Sequence, residues 1–114
     1  MLKTILIAAS FGLALTGAAN AGALGDLAPF KTIASDTLKI VKTGDLKAAE
    51  TRVTDLETAW DDASDTMKPK DKVQWRTLDK SLDKLFDIMR AGTPAAADEE
   101  AALTAFIATV DAVK

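Results

Sequence analysis

The chain predicts an all-α fold, an up-down-up-down antiparallel four-helix bundle. Apolar residues recur at steps of three and four in four separate stretches, and helix breakers or capping residues fall between the stretches. No segment alternates with period two, and the β-branched residues are scattered. Helices of roughly 17 to 22 residues joined by short turns pack most simply as antiparallel neighbours. A three-helix core with a loosely docked first helix is the alternative, because the first stretch is the shortest.

The first 21 residues read as an address rather than as fold. Met1-Leu2-Lys3 is a short basic start, Thr4 to Leu15 is almost wholly apolar, and Ala19-Asn20-Ala21 is a small-x-small cleavage site. The apolar run falls short of the roughly 20 residues a membrane helix needs. Residues 1–21 are therefore expected to be a cleaved signal peptide. Residues 22–25 follow as a flexible leader and residues 26–114 as one helical bundle domain. The mature protein is then exported, to a bacterial periplasm or outside the cell, with no membrane attachment after cleavage.

Leu27, Phe30, Ala34, Leu38 and Val41 are the stripe of a first helix from about Asp26 to Lys42, broadened by Ile33, Thr37 and Ile40. Pro29 is tolerated only in its first turn, which puts the start no later than Leu27. Gly44 suits the left-handed position after a helix and Asp45 the next N-cap. The second helix, about Leu46 to Thr66, buries Leu46, Ala49, Val53, Leu56, Trp60, Ala63 and Met67. Pro69 then breaks the chain and is expected in the first turn of a third helix reaching about Ala91, with Trp75, Leu78, Leu82, Leu85 and Met89 inward. Folding back at residues 67 and 68 brings Trp60 and Trp75 to the same height. Along the outer face of this helix Arg76, Lys80 and Lys84 each have an aspartate three residues later, so ion pairs with Asp79, Asp83 and Asp87 are expected. Gly92 closes the helix. Thr93-Pro94 opens the last one, with Asp98, Glu99 and Glu100 near its positive end and Leu103, Phe106, Ile107, Val110 and Val113 inward.

The missing residue types exclude most site chemistry. There is no His and no Cys, so a Ser-His-Asp triad, Cys–His catalysis, the usual zinc and copper sites, His-ligated haem and disulfides are all absent. No Gly-rich phosphate loop exists, and no cofactor is expected. The net charge of −3, which loses one further positive charge with Lys3, gives no electrostatic reason to bind nucleic acid. A carboxylate pair such as Asp79 with Asp83 lies on what should be an exposed face, where nothing would raise either pKa.

Three features could carry function. Trp60 and Trp75 could line a ligand groove between helices, although indoles on a core stripe more often simply clamp a hairpin. Lys68, Lys70, Lys72 and Arg76 form a basic tip that could meet an acidic partner, or could only offset a helix dipole. Asp61, Asp62 and Asp65 are weak candidates for a cation, since they lie along a helix and point in different directions. Ile33, Ile40, Phe86 and Ile107 lie beside the stripes and could form a dimer face, leaving a monomer or a weak homodimer.

Leu56-Glu57-Thr58-Ala59-Trp60-Asp61, then Met67-Lys68-Pro69-Lys70, then Trp75 and Leu78-Asp79-Lys80-Ser81-Leu82-Asp83 resembles a group of small exported bacterial all-helical proteins of uncharacterised function. The shared features are a Leu-Glu-x-x-Trp helix, a Lys-Pro turn and a Trp-x-x-Leu-Asp helix, over about residues 38 to 90. The resemblance implies a signal peptide followed by a helical bundle and brings no catalytic residue. The expected function is that of a small exported binding or interaction module for an unknown protein or small ligand, not an enzyme. An acidic cation-handling or envelope-stress protein is the alternative.

Overall fold

The computed structural model describes residues 22–113; the expected signal peptide, residues 1–21, lies outside the described residues. Four helices follow one another: α1 (Ala28–Lys42), α2 (Leu46–Met67), α3 (Lys72–Met89) and α4 (Ala96–Ala112). Each packs on the next, and α4 closes the ring against α1. The ion pair from Lys31 Nζ to Asp111 Oδ1, 2.7 Å, links the start of α1 to the end of α4, as antiparallel neighbours require. This is the four-helix bundle. In it α1 is a full member, because its contacts with α2 and α4 are the most extensive in the fold.

The buried set follows the three-four periodicity. Phe30, Ala34 and Val41 of α1, Ala49, Val53, Leu56, Trp60 and Met67 of α2, Leu78, Leu82, Leu85 and Met89 of α3, and Leu103, Phe106 and Val110 of α4 form one core. Ile33, Ile40, Phe86 and Ile107 are half-buried and pack against it. Val73 is the one large apolar residue exposed among the described residues. No described helix is long and apolar enough to cross a membrane.

The α1–α2 turn forms as expected. Gly44 has φ +90°, a conformation that penalises any side chain, and Asp45 accepts the amide of Ala48 at 3.0 Å. The other boundaries shift. α1 begins at Ala28 rather than by Leu27, with the Asp26 carboxylate accepting the Ala28 amide at 2.9 Å. Pro69 lies in the turn and not in α3, which begins at Lys72. The reason is Asp71: it is extended, and its carboxylate accepts the Gln74 amide at 3.1 Å, the acceptor an N-cap requires. Thr93-Pro94 does not open α4. Residues 91–95 cross from α3 to α4, and the helix begins at Ala96 behind an uncapped Ala95. Gly92 is not in the left-handed region, and α3 ends at Met89 with Arg90 as its cap.

Residues 22–25, the expected leader, form a turn. Gly25 donates to the Gly22 carbonyl at 3.0 Å and adopts φ +91°. This folds Leu24 into the core, 2% exposed. A buried leucine side chain contributes roughly 1.5–3 kcal/mol, which offsets part of the entropy cost of ordering these residues.

Candidate functional site

The two indoles meet at the height the hairpin register predicts. Trp60 and Trp75 stack with centroids 6.0 Å apart at 14°, and Phe30 of α1 meets Trp60 edge-on at 5.4 Å. Both indole N–H groups donate across the hairpin, Trp60 Nε1 to Asp79 Oδ1 at 2.9 Å and Trp75 Nε1 to Ser64 Oγ at 3.2 Å. Trp60 is buried in the core. Trp75 is half-buried, and Lys68 Nζ lies 4.8 Å from its ring centroid, within cation–π range. The pair thus joins α1, α2 and α3 at the hairpin end of the bundle.

The basic tip is dispersed over separate tasks. Lys68 covers Trp75, and Lys70 lies beside Gly25 of the leader turn. Lys72 and Arg76 are exposed, and among the described residues none of the four forms an ion pair. Asp61, Asp62 and Asp65 are exposed along α2, and no group of three or more possible ligands converges on a metal position among the described residues.

The expected ion pairs along α3 do not form. Asp79 is turned towards Trp60, and neither Lys80 with Asp83 nor Lys84 with Asp87 reaches ion-pair distance. The Asp83 carboxyl, though the residue is exposed, is pushed up, first by desolvation and then by the like charges of Asp79 and Asp87. This corrects the expectation that nothing on this face raises a carboxyl pKa. The ion pairs that do form tie helices together. Arg52 bridges Asp36 of α1 and Asp55 of α2. Arg90 holds both carboxylate oxygens of Glu57 at 2.8 and 3.1 Å, donates to Thr54 Oγ1 at 3.3 Å and lies 5.1 Å from the Phe86 centroid.

A concave feature lies between α3 and α4. A groove of about 450 Å³ is lined by Leu85, Ile88, Ala101, Ala102 and Ala105, with Ser81, Lys84 and Asp98 adding polar atoms. Its size falls in the range of small-ligand sites. The sequence reasoning missed it because alanines beside a stripe look inert. The signal was the composition of α4, whose exposed residues include Ala97, Ala101, Ala105, Ala108 and Ala112. Such short side chains cannot fill the space beside the longer ones of α3.

Glu99 was also missed. The sequence places it only near the positive end of α4, yet it is fully buried, and neither carboxylate oxygen has a hydrogen-bond partner among the described residues. Burial pushes its carboxyl up, and the charge of Glu50 adds to the shift.

Comparison with protein families, with curated proteins and with solved structures finds no match.

Proposed function

We propose that the protein is a small exported binding or interaction module without catalytic activity, and that the groove between α3 and α4 takes its ligand. The groove is the observation that carries this reading. It offers an apolar floor of alanine, leucine and isoleucine, with a cation from one helix and an anion from the other. A ligand with an apolar body and one charged end fits that chemistry. Export rests on the character of residues 1–21.

The test uses 1-anilinonaphthalene-8-sulfonate, whose rings suit the alanine floor and whose sulfonate suits Lys84. Enhanced probe emission, with amide shifts confined to residues 81–88 and 98–105, is expected. Ala105→Trp should fill the groove and abolish both at an unchanged melting temperature. Shifts centred on Trp75, or an Ala105→Trp variant that binds the probe as before, refute the assignment.

A second surface is favoured by its own observation. Val73 is 73% exposed between the unpaired cations Lys72 and Arg76, so the hairpin tip suits an acidic partner that carries an apolar side chain. Lys72→Glu with Arg76→Glu should abolish such a complex and leave probe binding in the groove intact.

A further inference from the structure

Glu99 is the one fully buried charged residue among those described. Buried polar groups are nearly always hydrogen-bonded, and a buried carboxylate without a partner is strongly disfavoured against its neutral acid. Its position sharpens the anomaly. It lies in the first turn of α4, the helix that starts without a side-chain cap. The connection before it, residues 90–95, is exposed throughout. In that turn only Glu99 is buried, and only Ala96 beside it is half-buried.

The surrounding charges give Glu99 no relief. This end of the bundle gathers the end of α1, the start of α2 and the end of α3. They bring Lys39 and Lys42, Lys47 and Glu50, and Asp87 and Arg90 respectively, all but Glu50 without a resolved effect on the Glu99 carboxyl and all of them exposed. On α4 itself Asp98 is exposed and Glu100 half-buried. Arg90 is committed to Glu57. A helix N-terminus favours an anion; against it stand burial and the charge of Glu50, both of which push the carboxyl up.

We propose that Glu99 is a proton-operated latch on the α3/α4 groove. With its proton, the first turn of α4 stays packed in the bundle. Without it, the turn leaves the core to hydrate the carboxylate, and the α4 wall of the groove moves with it. The coupling is structural: Asp98, Ala101 and Ala102 line the groove and belong to the turns that contain Glu99. The consequence for ligand binding rests on the proposed groove site, whereas the latch itself does not.

The experiment follows carboxyl ¹³C and amide ¹H–¹⁵N resonances from pH 4 to pH 8 on the protein as its host processes it, in wild type and Glu99→Gln, with 1-anilinonaphthalene-8-sulfonate as the groove probe. Glu99 should titrate above the ordinary glutamate range. The amides of residues 96–102 should move with the same midpoint while those of 72–80 do not. Glu99→Gln should hold the low-pH spectrum throughout, and probe binding should weaken at high pH in wild type only. Glu50→Gln removes the like charge without touching the buried group, and should move the midpoint down even if Glu99→Gln fails to fold. An ordinary glutamate titration, amides at 96–102 that ignore it, or a Glu50→Gln midpoint equal to wild type overturns the latch. Absence of probe binding at every pH, with the amide transition intact, overturns the groove assignment and supports the latch.

Discussion

Replacing Trp60 by alanine tests how the hairpin end of the bundle is held. Trp60 is 3% exposed, and an indole buries about 200 Å², worth at most about 5 kcal/mol at 25 cal/mol per Å². Large-to-small substitutions of buried tryptophan cost about 3–5 kcal/mol. The change also strips Asp79 Oδ1 of its indole donor, a loss of about 1 kcal/mol. A total of about 4–6 kcal/mol is expected, against a stability of about 5–14 kcal/mol for a domain of this size. Trp75 is only half-buried, so Trp75→Ala should cost about 2 kcal/mol. The stacked geometry adds a coupling of about 0.5–1.5 kcal/mol, so the double variant should lose less than the sum of the single ones. Urea melts followed by circular dichroism, with an unchanged m-value, measure all three. Equal costs for Trp60→Ala and Trp75→Ala, or strict additivity, would refute the reasoning.

Asp45→Ala removes the cap on the Ala48 amide and should cost about 1 kcal/mol. Gly44→Ala should cost about 1–2 kcal/mol from backbone conformation alone, because nothing lies within 4 Å of the added Cβ; both read out in the same melts. Arg90→Gln should cost under about 1 kcal/mol, since the pair is part-exposed and salt-screened. Arg90 lowers the Glu57 pKa, so this contribution is present above the unfolded glutamate pKa and is lost as pH falls through the folded one. An acid melt of Arg90→Gln should lack that loss. Glu99→Leu should gain about 1–3 kcal/mol at pH 7. The Glu99 pKa is raised, so wild-type stability falls as pH climbs from the unfolded glutamate pKa, about 4.3, through the folded value. The gain should therefore be smaller at pH 4, and an equal gain at both pH values would contradict the sign.

The helices were legible because each carries its own periodic signal. Leu78, Leu82, Leu85 and Met89 need no partner in view to define a buried face, and Gly44-Asp45 is a turn by local chemistry alone. Boundaries misread where two local signals competed. Pro69 and Asp71 both mark the start of α3, and the carboxylate that can accept an amide prevailed over the ring that merely tolerates a first turn. Thr93-Pro94 is a locally sound start, but the chain needs residues 91–95 to cross between helices, a tertiary demand. The α3 ion pairs failed for a related reason. Spacing permits Arg76–Asp79, but it does not reveal that Trp60, on another helix, offers Asp79 a donor. Glu99 was illegible on the same principle, because its burial depends on what faces α4, and the groove left only a partial signal in the alanines of α4.

The two ends of the bundle are built differently, and the difference places the candidate site. At the hairpin end, Phe30, Trp60, Trp75 and Lys68 form a continuous aromatic and cation stack, and both indole N–H groups are bonded across α2 and α3. At the other end, α2 and α3 are joined by one exposed arginine bridge. There α4 begins without a cap and with an unpartnered acid inside. Local opening draws on regions with few buried apolar contacts and exposed backbone. The bundle should therefore open first at the end that carries Glu99, which is also the end where Lys84, Ile88, Asp98 and Ala101 line the groove. A rigid aromatic end and a proton-sensitive opposite end let one small core hold its fold while one wall of the groove moves.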